Sequence, residues 1–225
     1  MRQALKRIAK SAGIFYPLRA LVVNRRQARE LAEWERSGRP APPPHLIKQR
    51  VLLEYANRFQ LNTLVETGTY QGDMVEAMKQ RFRQIYSIEL GEGLHAEARS
   101  RFKKDRHVRL LCGDSGGLLG DVMNLLDGPA LFWLDGHYSG GDTARGASDT
   151  PIYRELHHIL GQPARKHVIL IDDARCFGRD PSYPTLQELK TFISSTGAKV
   201  EIDLRDDIIR ITPASWHCRE SSRCV

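Results

Sequence analysis

The sequence predicts an α/β fold: a doubly wound sheet of seven strands, mostly parallel, with an antiparallel hairpin at one edge. Three observations predict it. From about residue 45 to residue 213, apolar β-type runs alternate with helical stretches. The runs are nearly continuous in apolar residues, as parallel strands covered on both faces are. The last two runs are joined only by Arg205 to Asp207, far too short for a parallel crossover, so they pair antiparallel.

The elements follow in order. Leu5, Ile8, Ala12 and Phe15 fall at helical intervals with Arg2, Lys6, Arg7 and Lys10 on other faces, a short basic amphipathic helix. A second stripe runs through Leu18, Leu21, Val22, Ala28 and Leu31. Together they make residues 1–39 a basic helical extension. Two readings stay open for it: a solvated helical hairpin packed on the domain or a partner chain, and contact of residues 1–36 with an anionic membrane surface. PAPPP at 40–44 reads as a stiff linker. Ile47, Val51, Tyr55 and Phe59 then restart a helix at i, i+4 spacing and open the main domain, 45–213. Strands are expected at Asn62 to Glu66, Ile85 to Glu89, Val108 to Cys112, Ala130 to Asp135, Val168 to Asp172, Lys199 to Leu204 and Ile208 to Thr212. Helices are expected near 72–82, 91–104, 115–126, 151–161 and 184–196, with Thr150 and Pro151 as a cap and first-turn pair. The tail, 214–225, has no clear period and receives no function.

A chain of 225 residues, 41% hydrophobic with 18 Gly and 11 Pro, can bury one ordinary core. A disulfide miniprotein, a collagenous chain and a wholly disordered one are excluded. The net charge of +7 resides in residues 1–39, which hold ten basic and three acidic side chains, so the body is close to neutral. A neutral body without a basic-aromatic stripe argues against nucleic-acid binding. Cys112, Cys176, Cys218 and Cys224 show no C-x-x-C spacing, which suits free thiols in a reducing compartment better than a zinc site. No apolar run approaches the roughly 20 residues of a membrane span. MRQALKRIAKSAG followed by IFYPLRALVV is not a signal peptide, because Pro17 and Arg19 interrupt the apolar part and no small-residue cleavage site follows. The expected location is cytoplasmic, with the inner face of the membrane as an alternative.

Ligands of doubly wound sheets bind beyond the carboxyl ends of the strands. Here nearly every strand ends in an acid: Glu66, Glu89, Asp114 just past the third strand, Asp135, and the pair Asp172 and Asp173. The first turn, Glu66-Thr67-Gly68-Thr69-Tyr70-Gln71-Gly72, is an E-x-G-x-x-x-G loop whose glycines let backbone approach a ligand. Its spacing fails the G-x-G-x-x-G dinucleotide pattern, which weakens an NAD reading. Glu89, 23 residues after Glu66, is placed to accept hydrogen bonds from two ribose hydroxyls. Asp114 could receive an adenine amino group.

Over residues 45–212 the chain resembles class I S-adenosylmethionine-dependent methyltransferases. ETGTYQG is similar to that family's first motif, IYSIEL to its second and LLCGDS to its third, and ELGEGLHAEARSRF to its helix after strand two. The resemblance implies a Rossmann-like fold with S-adenosylmethionine as cofactor. It puts Glu66 and Gly68 at the methionine part, Gly72 in the same loop, Glu89 at the ribose, and Asp114 with Ser115 at the adenine.

FWLDGHY and ILIDD bring three carboxylates to neighbouring strand ends. Close anions repel unless protonated or neutralised by a cation, and oxygen ligands favour Mg²⁺. The alternative is that Asp172 or Asp173 caps the next segment while Asp135 holds a loop. The L-D-G and I-D-D pair is similar to the metal-dependent macrocin-type sugar O-methyltransferases, which implies Asp135, Asp172 and Asp173 as metal ligands, with Asp135 also catalytic. HYSGGDTARGASDT departs from that family, being longer and richer in glycine and polar residues, and is expected to form a lid or recognition loop. His137 is the candidate general base, although a lone loop histidine is more often only solvated. Tyr138, Asp142, Arg145 and Arg175 are candidate substrate contacts. His157 and His158 are expected on a helix surface with no chemical role.

The expected activity is methyl transfer, probably aided by Mg²⁺ in the resemblance's terms, to a hydroxyl of a sugar, glycan or related polyol by a protein that could form a homo-oligomer. The rivals are a metal-dependent hydrolase or NAD-linked oxidoreductase on a similar sheet, and a non-catalytic membrane-associated adapter.

Overall fold

The computed structural model describes residues 15–136 and 150–216, with side chains from residue 26 onward. Helix α1 (Phe15–Arg36) leads through a turn to α2 (His45–Arg58). There follow β1 (Thr63–Thr67), α3 (Asp73–Met78), β2 (Gln84–Glu89), α4 (Glu92–Arg101), β3 (Val108–Cys112), α5 (Ser115–Leu125) and β4 (Leu131–Leu134). The second half holds α6 (Ile152–Leu160), β5 (Val168–Ile171), α7 (Leu186–Ser195), β6 (Val200–Arg205) and β7 (Ile208–Pro213), with short 3₁₀ turns at Pro163–Arg165 and Ala174–Cys176.

The strands form one seven-stranded sheet in the order β3-β2-β1-β4-β5-β7-β6. The first five are mutually parallel, and β7 pairs antiparallel with both β5 and β6. The hairpin turn is Asp206-Asp207, both at positive φ, as a two-residue turn with the strands' twist requires. All seven expected strands are present within a residue or two of their expected ends.

Alternation along the strands sorts side chains onto two cores. Leu64, Ile85, Leu131, Trp133, Val168 and Leu170 face a core shared with Val51, Leu52, Tyr55 and Ala56 of α2. Val65, Ile88, Phe132, Leu134, Ile169 and Ile171 face the other, shared with Leu119, Val122, Leu156, Ile159 and Leu189 of α5, α6 and α7. The same alternation decides where the strand-end acids point. Glu66 follows Leu64, Glu89 follows Ser87 and Ile85, Asp135 follows Trp133, and Asp172 follows Leu170, so all four fall on the α2 side of the sheet.

Three local features differ from expectation. The expected helix at 72–82 is a short one, Asp73–Met78, begun at Gly72 in a left-handed conformation. Helix α6 is capped by Pro151 without a side-chain bond, while Thr150 Oγ1 accepts a 3.4 Å bond from the Ile152 N–H one step in. The proline segment does not simply extend away: Trp34 Nε1 donates to the Pro40 carbonyl at 2.6 Å, folding it against α1. Cys112 and Cys176 are free thiols. Cys218 and Cys224 lie outside the described residues. No helix among the described residues is long and apolar enough to cross a membrane.

Candidate active site

Each ladder continues one step past its strand. Ile88 accepts from the Gly68 N–H at 2.9 Å, Thr67 from the Asp135 N–H at 3.1 Å, Leu134 from the Asp172 N–H at 3.0 Å, and Glu89 from the Gly113 N–H at 2.9 Å. These bonds fix the ends of β3, β2, β1, β4 and β5 side by side at the topological switch between β1 and β4. The acids therefore line one rim.

Gly68 sits at φ +87, where a Cβ would stand 2.5 Å from the Asp135 carbonyl oxygen. Only glycine lets the loop after β1 cross the end of β4 this closely. Gly72 has a different reason: its Cβ would stand 2.7 Å from the Phe102 ring, so its absence makes room for core packing. Glu89 anchors the first loop and the second together, accepting from the Tyr70 N–H at 2.7 Å and the Gly91 N–H at 2.9 Å. Glu66 is buried and takes a hydrogen bond from the Ser87 hydroxyl, which in turn contacts Thr69 Oγ1 at 2.6 Å. Burial pushes the Glu66 carboxyl up to about 8, against the Ser87 bond and with the charge of Glu89 adding to the rise. Asp114 caps α5, accepting from the Gly116 N–H at 3.1 Å, and its other oxygen pairs with Arg154 at 2.7 Å. Ser115 is buried at the first position of that helix.

Sequence reasoning missed two residues of the rim. Lys48, one turn into α2, places its ammonium against Asp172 Oδ2 and 3.9 Å from Asp173 Oδ1. Burial pulls this ammonium down, but the charges of Asp172, Asp135 and Asp173 outweigh it and raise it. The signal was present: Lys48 lies four residues before Leu52 and seven before Tyr55, so it leads the buried stripe of α2. Glu155 is the second. It occupies the apolar stripe of α6 with Ile152, Leu156 and Ile159, and is buried. A Cβ on Gly136 would come within 3.0 Å of Thr67 Oγ1 and 3.5 Å of Glu155 Oε1, so both oxygens sit directly beneath the loop after β4. Burial pushes Glu155 up to about 7 despite the nearby Ser115 and Thr67 hydroxyls, and Oε1 makes no hydrogen bond of good geometry.

The three aspartates do lie together, but not as an open donor set. Asp135 is buried, and burial, then the charge of Asp172, raises its pKa against the opposing effect of Lys48. Asp172 uses one oxygen for Lys48 and the other to accept from the Asp173 N–H at 2.8 Å. Asp173, in a left-handed conformation, starts the turn Ala174–Cys176 and pairs with Arg175 Nη1 at 2.6 Å. The same Nη1 donates to Asp207, whose other oxygen accepts from the Arg175 N–H at 2.7 Å. Arg175 is thereby tied inward to two carboxylates, and its expected contact with an anionic substrate gives way to an ion-pair role.

Nothing among the described residues supports the expected Mg²⁺. Among the described residues no group of three or more His, Cys, Asp or Glu is disposed to hold a metal ion. Asp135, Asp172 and Asp173 are the residues expected as metal ligands, and the cation that faces Asp172 and Asp173 in this structure is the Lys48 ammonium. His137, Tyr138, Asp142 and Arg145 lie outside the described residues. His157 and His158 are on α6, and His158 Nε2 contacts the Gly116 carbonyl at 3.1 Å.

No family model matches the chain, and no curated protein matches it in sequence. Solved structures do. The S-adenosylhomocysteine-bound methyltransferase PaMTH1 of Podospora anserina is 17% identical with a TM-score of 0.50, over 75% of this chain and 78% of that one. The O-methyltransferase TomG of Streptomyces achromogenes, involved in tomaymycin synthesis and solved with S-adenosylmethionine, is 15% identical with a TM-score of 0.51, over 84% of this chain and 89% of that one. At these identities the likeness establishes the fold, a Rossmann-like methyltransferase fold, mostly parallel with an antiparallel β5-β7-β6 edge.

Proposed function

We propose that the protein is an S-adenosylmethionine-dependent O-methyltransferase acting on a hydroxyl of a sugar, glycan or related polyol. The observation that carries this reading is the rim itself: Gly68 crossing the end of β4, flanked by Glu66, Glu89 and Asp114 on one side and by Asp135 and Asp172 on the other. The cradle a Cβ would fill at Gly68 and the buried carboxyl of Glu66 suit the methionine end of the cofactor, Glu89 the ribose, and Asp114 with Ser115 the adenine. Bound there, S-adenosylmethionine supplies an electrophilic methyl group on a sulfonium.

The chain's own residues orient the acceptor and handle its proton. Alignment of acceptor oxygen and methyl carbon is worth up to about 7–11 kcal/mol. As the new O–C bond forms and the S–C bond breaks, the hydroxyl proton passes to a base on the acceptor side. Asp135 suits that role, because burial raises its proton affinity toward neutrality without removing it from the rim. The glycan or polyol class is supported by the polar, acid-lined acceptor side. The basic residues 1–39 are assigned peripheral contact with an anionic surface.

Calorimetric titration tests the reading. S-adenosylmethionine and S-adenosylhomocysteine are expected to bind and NAD⁺ not to. Glu89→Ala is expected to weaken S-adenosylhomocysteine by about 10- to 100-fold, the loss of charged hydrogen bonds worth about 1.5–3 kcal/mol. An unaltered affinity sinks the ribose assignment, and NAD⁺ binding in preference sinks the function. Sugar and glycan acceptors are then screened for methylation.

A further inference from the structure

The acid cluster at β4 and β5 contains its own cation. Lys48 comes from α2, a different element from every carboxylate it neutralises, and 124 residues before Asp172 in sequence. Its position is not adjustable, because Val51, Leu52, Tyr55 and Ala56 on the following turns are locked in the core. The charges alternate along a chain: Asp172, Lys48, Asp173, Arg175, Asp207. Both oxygens of Asp172 and one of Asp173 are engaged within it. Asp207 is nearly closed to solvent, whereas the Lys48 side chain keeps 15% of its surface exposed, so the chain opens at its ammonium end.

We propose that the Lys48 ammonium is the resident cation of this site, standing in the place that a divalent ion was expected to hold. It keeps the Asp172 and Asp173 carboxylates together as anions and presents N–H donors to an acceptor oxygen. An ammonium neutralises one charge and donates hydrogen bonds, whereas a metal ion needs lone pairs that this cluster has already committed. The inference rests on the methyltransferase reading for the nature of the acceptor, but the charge arrangement does not depend on it.

The test is metal binding by the full chain. Mg²⁺ and Mn²⁺ are titrated calorimetrically into wild type, Lys48→Met and Lys48→Arg, with folding checked by circular dichroism. Wild type and Lys48→Arg are expected to show no saturable binding below about 1 mM, while Lys48→Met, which leaves the acids without their cation, gains at least about tenfold in Mn²⁺ affinity. Saturable submillimolar binding to wild type that Asp172→Asn abolishes overturns the proposal. So does an unchanged Mn²⁺ affinity in folded Lys48→Met. Should Lys48→Met not fold, the wild-type titration decides alone. S-adenosylhomocysteine titrated into the same wild-type sample separates the two readings: no binding there ends the methyltransferase function and leaves the result for Lys48 standing.

Discussion

A carboxyl inside an apolar stripe has a measurable signature, and Glu155 provides it. Its pKa is raised from an unfolded value near 4.5 to about 7, first by burial. The folded state therefore holds this proton more tightly than the unfolded chain does. Stability from the held proton is complete below about pH 4.5, declines as pH rises to 7, and is gone above it. The cost at pH 8 is on the order of 3 kcal/mol. Glu155→Gln keeps the shape and removes the titration, so urea unfolding is expected to show near-equal stabilities at pH 5 and a variant more stable by about 1–3 kcal/mol at pH 8. A variant less stable than wild type at pH 8 means the carboxylate is compensated in its pocket. Glu66, raised to about 8 by burial, leaves a residual slope in both proteins. What separated the legible residues from the missed ones is the kind of signal each carries. Glu66, Glu89, Asp135 and Asp172 close apolar runs, where a charge is conspicuous. Lys48 and Glu155 sit inside helical stripes, and their burial depends on which face of the helix the sheet covers.

At the level of single elements, the loop after β1 has the least freedom. Gly68 pairs a positive φ with a Cβ position 2.5 Å from a backbone oxygen, so Gly68→Ala meets both a conformational penalty and a clash that no side-chain rotation relieves. The expected loss is at least about 2 kcal/mol in denaturant unfolding, together with weakened S-adenosylhomocysteine binding. Gly128 has no heavy atom within 4 Å of its Cβ position, and Gly128→Ala serves as the control with little change. Equal midpoints for the two variants contradict the contact between this loop and Asp135. Strands were the most legible elements, since each is a short apolar run bounded by polar residues. Helix ends were less so: α3 stops at Met78 although helical residues continue to 82, because the chain turns at 79–82 to bring Phe82 into the core and Arg83 onto the Asn62 carbonyl. A reading along one dimension sees propensity there and not the return to the sheet.

For the molecule as a whole, the topology was readable because alternating elements and one short hairpin leave few arrangements, and the acids at five strand ends follow from that topology. How the basic extension relates to the domain was not readable, and the structure narrows it. Residues of α1 are absent from both cores among the described residues, and the side-chain link to the domain is Gln27 Nε2 to His45 Nδ1 at 3.0 Å. Removal of residues 1–39 is therefore expected to leave one cooperative unfolding transition with a midpoint lowered by only a few degrees, about 1 kcal/mol for a domain of this size. The same cut removes ten basic and three acidic residues and brings the net charge from +7 to zero. If the extension holds the protein to an anionic surface, the full chain co-sediments with phosphatidylglycerol vesicles at low salt and releases as ionic strength shortens the screening length to about 8 Å near 0.15 M, while the truncated chain stays in solution throughout. Equal sedimentation of the two chains removes the extension from membrane contact, and a truncated chain that does not fold shows that α1 belongs to the domain.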